Sequence, residues 1–230
     1  RQMCIRDRLR ALERQHGFRV LFAVESGSRA WGFASEDSDY DVRFVYVHSP
    51  EWYLSVRQRP DSVTFFASET LDLAGWDLRK ALGLFARSNG ALLEWLHSPV
   101  RYAEHPDLVP LWRAIVPDAI NPRALAAHYL GMAWKTWLVV REGDSASAKK
   151  YLYVLRTVLA ARWTLSRRSV PPVALSELVE RALGPADQAI TERIEHLVAY
   201  KSAGQESTCL SRDTLLDKWL ANQLQALRAV

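Results

Sequence analysis

Apolar and polar positions follow two different rhythms along this chain, and the change comes near its middle. Ile5, Leu9 and Leu12 recur at helical spacing, which predicts a short helix over 5–16 ended by Gly17. Arg19-Val20-Leu21-Phe22-Ala23-Val24 is a compact apolar run and reads as a buried strand. Glu25-Ser26-Gly27-Ser28 interrupts it with turn residues. After the polar Ser35-Glu36-Asp37-Ser38, the segment from Tyr40 to Val47 is rich in β-branched and aromatic residues. It reads as a central strand, stopped by Pro50. Val63 to Phe66 and Glu69 to Leu73 are further strand candidates. From Gly75 the rhythm becomes helical: Leu78, Leu82 and Phe85 form one stripe, and Leu92, Leu93 and Leu96 continue it after Asn89-Gly90.

Beyond residue 100 no strand is expected. Helices are predicted near 122–141, 147–167, 174–183, 186–201 and 212–228, with start signals at Asn121-Pro122, at Ser145 or Ser147, and at Ser211. Val100, Pro106, Pro110 and Pro117 mark an irregular connection. The expected organisation is an α/β (α+β) domain with a short mixed sheet over 1–105, followed by an all-α domain over 106–230.

Composition narrows the picture only modestly. With 230 residues, of which 49% are apolar, there is material for one large core or two small ones. The net charge of +4 suits a protein that handles phosphates without requiring one. Cys4 and Cys209 are far apart and in no metal-ligand spacing, so neither a disulfide framework nor a zinc site is expected. No apolar run is long enough for a membrane span, and the charged start does not read as a signal peptide. The expectation is a cytoplasmic protein with no membrane partner.

The chemistry is concentrated between Gly27 and Arg43. On a strand beginning at Tyr40, Asp39, Asp41 and Arg43 point one way and Tyr40, Val42 and Phe44 the other. Two carboxylates at the mouth of a central strand repel each other unless a cation or hydrogen bonds compensate. Mg²⁺, or Mn²⁺ in its place, does this with hard oxygen ligands while leaving positions open for phosphates. A third oxygen is needed on a neighbouring strand. Asp72, the single charge within Leu71-Asp72-Leu73, is the choice; Asp77 is the alternative, although it lies where a helix begins and has a capping role there. Gly27-Ser28, between a strand and a short helix, offers backbone N–H groups and a hydroxyl to a triphosphate. Arg29 and Arg43 flank the site as phosphate contacts, or as salt-bridge partners of the nearby acids. Lys149, Tyr153, Arg156 and Trp163 share one helical face, which suits an NTP or an RNA strand; Lys149 and Lys150 are the best candidates there. Trp31 and Phe33 are expected to pack under the phosphate loop rather than to stack on a base.

The string Gly27-Ser28-Arg29-Ala30-Trp31-Gly32-Phe33, followed by Asp37-Ser38-Asp39-Tyr40-Asp41-Val42-Arg43, resembles the signature of the DNA polymerase beta nucleotidyltransferase superfamily. In detail it is similar to the bacterial and phage nucleotidyltransferases associated with RNA repair pathways. Later blocks extend the resemblance: Leu71-Asp72-Leu73-Ala74-Gly75-Trp76-Asp77, Leu93-Glu94-Trp95-Leu96-His97-Ser98-Pro99, and Lys149-Lys150-Tyr151 through Leu155-Arg156. The resemblance implies a minimal nucleotidyltransferase core followed by a helical domain. It also implies transfer of NMP from an NTP to an acceptor hydroxyl and leaves the acceptor open; RNA is the expected partner. By that resemblance Ser28 contacts phosphate, Asp39 and Asp41 ligate metal, and Asp72 corresponds to the third carboxylate. Two alternatives stand beside this reading. One is a catalytically inactive nucleotide- or RNA-binding adaptor; the other is a toxin-like transferase that modifies tRNA or a protein.

Overall fold

The computed structural model describes residues 2–68, 70–143, 145–204 and 209–228. The chain divides into two compact units. The first runs up to Ala30 and resumes over Asp39–Ile120; the second takes Trp31–Ser38 and the chain from Asn121 onward.

In the first unit, helix α1 (Gln2–His16) leads into strand β1 (Arg19–Glu25), the short helix α2 (Gly27–Trp31) and strand β2 (Tyr40–Val47). Helix α3 (Pro50–Tyr53), strands β3 (Ser62–Ser68) and β4 (Leu71–Asp77), and helices α4 (Leu78–Ala86) and α5 (Gly90–His97) follow. Strand β5 (Arg101–Glu104) and helix α6 (Leu108–Ala119) complete it. The sheet order is β3-β4-β2-β1-β5. β2 and β4 run parallel, while the other pairs are antiparallel. One face buries Ala23, Val42, Phe44, Tyr46, Leu73 and Tyr102 against Ile5, Leu9 and Leu12 of α1. On the other face Phe22 meets Trp112 of α6 edge-on, and Trp76 stacks on Trp95 of α5 at 3.9 Å. The alternation along β2 sends Val42 and Phe44 to the α1 face, and therefore Asp41 and Arg43 to the opposite one.

The strands expected around Arg19–Val24, Tyr40–Val47, Val63–Phe66 and Leu71–Leu73 are present. Glu69, the expected start of the last, lies outside the described residues. Four elements depart from expectation, two of them the three-residue strands over Ser145–Ser147 and Cys209–Ser211, which pair with each other across the helical part of the chain and are too short to show alternation. The segment over 101–104 is a strand, although only its Tyr102 is deeply buried. The proline-rich connection contains α6, where Pro110 occupies the first turn, whose N–H groups lack helical partners in any case. Pro117 forfeits a ladder bond in the last turn, offset by burial of Val109, Trp112 and Val116 at helical spacing.

The second unit is built around the long helix α8. Helix α7 (Pro122–Arg141) starts where Asn121 Oδ1 accepts from the N–H groups of Arg123 and Ala124. Strand β6 (Ser145–Ser147) precedes α8 (Ala148–Arg167), whose N-terminus is capped by Ser147. Then come α9 (Leu175–Ala182), α10 (Gln188–Ser202), β7 (Cys209–Ser211), which pairs with β6, and α11 (Thr214–Arg228). Asp213, rather than Ser211, caps α11 by accepting from Leu215 and Leu216. α8 is buried over most of its circumference, through Tyr151, Leu152, Val154, Leu155, Val158 and Leu159, because α7, α9, α10 and α11 all pack on it. Among the described residues no helix is long and apolar enough to cross a membrane.

Candidate functional site

Parallel pairing of β2 with β4 puts Asp41 and Asp72 in register as direct neighbours. Side chains opposite each other in a sheet lie about 4.5–5.5 Å apart at Cβ, so the two carboxylates repel. Arg43, two residues along the same face, answers this charge. Its Nη2 lies 2.9 Å from Asp41 Oδ1 and 2.9 Å from Asp72 Oδ2, and its Nη1 donates to the Val42 and Asp72 carbonyls. Of the two roles expected for Arg43, the structure shows the salt bridge.

The remaining oxygens of this pair have different surroundings. Asp72 Oδ1 is buried and, among the described residues, accepts no hydrogen bond. A buried carboxylate oxygen without a donor is costly and calls for a cation or a donor from outside. Asp41 Oδ2 faces Gly27. A Cβ added at Gly27 would stand 2.2 Å from that oxygen, and Gly27 holds φ at +59°, which a side chain disfavours. Glycine is therefore required both for the turn and for the close approach of the Gly27-Ser28 backbone to Asp41. Ser28 is half-buried in the first turn of α2.

Asp39 precedes β2 and is exposed. Its carbonyl accepts from Arg29 Nε at 3.1 Å, and the Arg29 guanidinium lies 3.9 Å over the Tyr40 ring. Among the described residues no three His, Cys, Asp or Glu side chains are gathered as a ready-made metal cage. The donor set present is the Asp41–Asp72 pair, with Asp39 at the entrance to the same strand. Two or three carboxylates with an unsatisfied oxygen fit Mg²⁺ or Mn²⁺, which bind through few protein oxygens and share the rest with water and phosphate. Asp77, the alternative third carboxylate, sits five residues from Asp72 at the other end of β4. There it accepts from the Arg79 N–H as a helix cap and from the Tyr53 hydroxyl at 2.7 Å. It is fully committed at that end of the sheet.

Beneath Asp41 lies a group that the sequence presented only as a turn residue. Glu25 ends β1 and is 1% exposed. Its Oε1 accepts from the Asp41 N–H at 2.7 Å, and its Oε2 is hydrogen-bonded by the Tyr102 hydroxyl. The Ser26 N–H donates to the Asp41 carbonyl at 2.8 Å, so the Asp41 peptide is held at both its polar groups. Ser98 Oγ donates to the Glu25 carbonyl at 2.6 Å. Burial pushes the Glu25 carboxyl above its ordinary range, against the lowering effect of the hydrogen bonds from Tyr102 and Asp41. The signal in the sequence was a lone acid closing an apolar strand.

The candidates in the helical unit separate into two kinds. Lys149 and Lys150 are exposed at the start of α8. Arg156 is fully buried: its guanidinium donates to the Val173 carbonyl and lies 4.3 Å over the Trp31 ring. Its expected contact with substrate gives way to a packing role. Trp31 and Phe33 are buried in this unit, as expected of packing residues, and Tyr153 meets Trp31 edge-on. Lys201, which sequence reasoning passed over, is also fully buried; its ammonium donates to Ser38 Oγ at 3.3 Å and lies 5.5 Å from the Phe33 ring.

Comparison with known proteins agrees with the signature residues. Residues 2–230 match the family model described as the RNA repair pathway DNA polymerase beta family. The chain is 37% identical over 221 residues to the uncharacterized protein YcgL of Bacillus subtilis (strain 168), covering 96% of this chain and 84% of that protein. A crystal structure of a nucleotidyltransferase-like protein from Exiguobacterium sibiricum 255-15 aligns with 98% of this chain and 73% of its own, at 11% identity and a TM-score of 0.37, too distant to bear on the site. With its whole described length matched and its Gly-Ser and Asp-x-Asp elements in place, this chain belongs to the RNA repair pathway DNA polymerase beta family.

Proposed function

We propose that this protein is a divalent-metal-dependent nucleotidyltransferase that moves NMP from an NTP to an acceptor hydroxyl, with RNA as the acceptor. The observation that carries the reading is the facing pair Asp41 and Asp72, with Asp72 Oδ1 unsatisfied and Asp41 Oδ2 against Gly27. Asp39, Asp41 and Asp72 would hold the metal. Bound there, Mg²⁺ supplies charge neutralisation on the triphosphate and lowers the pKa of the acceptor hydroxyl. Gly27 and Ser28 receive the phosphates through backbone N–H groups and the Ser28 hydroxyl. Transfer joins the acceptor oxygen to the α-phosphorus, breaks the α–β phosphoanhydride bond and releases pyrophosphate. Arg43, which bridges the Asp41 and Asp72 carboxylates, would offer its guanidinium to the negative charge that develops on the phosphates.

RNA is supported by charge. Lys and Arg outnumber Asp and Glu over residues 121–230, whereas 1–120 is close to neutral, and Lys149 and Lys150 are exposed in the basic part. One observation favours a second reading. A carboxylate pair already bridged by Arg43 is also what an inactive nucleotide- or RNA-binding adaptor would present.

The test is incubation with Mg²⁺ or Mn²⁺ and each α-labelled NTP, with and without RNA. Label on RNA that disappears in Asp39→Ala and Asp41→Ala supports the transferase. NTP binding with no transfer to RNA, tRNA or protein favours the adaptor, and label on tRNA alone or on a protein favours the toxin-like alternative.

A further inference from the structure

We infer that Glu25, secured by Tyr102, is the positioning residue that sets Asp41 for metal binding. The inference rests on the reading of Asp41 as a metal ligand. A ligand on a strand needs its backbone fixed as firmly as its side chain, because a small peptide rotation swings the carboxylate away from the ion. β2 has Asp41 as its second residue, at the mouth of the strand where pairing with β1 runs out. The last registered pair is Glu25 with Val42, so the Asp41 N–H has no strand carbonyl opposite it. The Glu25 carboxylate takes that place by accepting the Asp41 N–H.

Glu25 is itself held from four directions. Its N–H donates to the Val100 carbonyl at 2.9 Å, its carbonyl accepts from Ser98, and its carboxylate is bound by the Asp41 N–H on one oxygen and the Tyr102 hydroxyl on the other. Tyr102 is 4% exposed on the edge strand β5, within the α1-facing core, so the clamp is anchored among buried side chains. This also gives β5 a purpose beyond closing the sheet edge: it carries the residue that orients Glu25. Turn composition alone does not ask for an acid here, and burying one is costly unless both of its oxygens are satisfied, as they are.

The experiment is Mn²⁺ titration of the full chain, followed by the electron paramagnetic resonance signal of the free ion, with thermal melting measured in parallel. Partners that orient a ligand typically change metal affinity about 10–100-fold when removed. Glu25→Ala is expected to weaken Mn²⁺ binding by that order in protein that still melts cooperatively. Glu25→Gln keeps an oxygen for the Asp41 N–H and an amide for Tyr102, and is expected to restore most of the affinity. Should Glu25→Ala not fold, Tyr102→Phe decides: it removes one hydroxyl from the clamp and is expected to weaken Mn²⁺ binding in the same direction. Unchanged affinity in folded Glu25→Ala or in Tyr102→Phe, or a Glu25→Gln protein as weak as the alanine variant, overturns the inference. A wild-type protein that binds no Mn²⁺ instead defeats the metal reading itself, which keeps the two failures distinct.

Discussion

Gly27 shows how tightly single atoms constrain the site. Its left-handed φ and the 2.2 Å separation between a notional Cβ and Asp41 Oδ2 act together, so Gly27→Ala must either flatten the turn or push Asp41 aside. The expected outcome is a folded protein, destabilised by about 1–2 kcal/mol from the backbone strain alone, whose nucleotidyl transfer falls far more than its stability. Label transfer per folded molecule, set against the melting curve, checks this. At the opposite end of the sheet His48 is stacked on Trp52 at 4.0 Å and meets Tyr46 and Phe18 edge-on. Burial lowers its pKa below the usual histidine value. Between the lowered folded value and the unfolded value of about 6.5 the unfolded chain binds more protons, so stability falls as pH drops through that window. Melting temperatures between pH 7.5 and 5.5 are expected to decline in the wild type and to decline less in His48→Phe, which keeps the stacking without the proton.

Among the elements, β2 and β4 carry most of the site, and their packing depends on a second glycine. A Cβ at Gly75 would lie 2.2 Å from the Phe44 ring, which is completely buried against α1. Gly75→Ala is therefore expected to cost about 1–3 kcal/mol by overpacking, read as a lower denaturation midpoint. These strands were legible because their patterns are local: β-branched and aromatic runs, with Asp41 and Asp72 as lone acids on the side away from the apolar stripe. The long helices were legible for the same reason, their stripes and caps being close in sequence. α6 was hidden behind Pro110 and Pro117, whose cost is small at helix ends but reads from sequence as a break. β5 was hidden because four residues carry too little alternation, and its identity comes from pairing with β1 across some eighty positions. The clamp on Asp41 shared that fate: Glu25 and Tyr102 meet through the sheet, 77 residues apart.

At the scale of the molecule there is an α/β unit and a helical unit, the first holding α6 and the second holding residues 31–38. Those eight residues are anchored among buried side chains of the helical unit, which accounts for two cations, Arg156 and Lys201, at zero exposure. A helical face bearing Lys149, Tyr153, Arg156 and Trp163 could be read from periodicity, but not which of them faces solvent, because α8 is covered on nearly every side. Arg156→Ala is accordingly expected to lower stability by about 3 kcal/mol or more, as large-to-small core changes do. Lys150→Ala is expected to leave melting unchanged within about 0.5 kcal/mol.

The most direct test of the site is a crystal of the wild-type protein with Mn²⁺ and a non-hydrolysable NTP, read by anomalous scattering. The expected result is a manganese peak at the Asp41 and Asp72 carboxylates, with the triphosphate against Gly27 and Ser28. A nucleotide bound elsewhere, or Arg43 still joining both carboxylates with no metal between them, would contradict it.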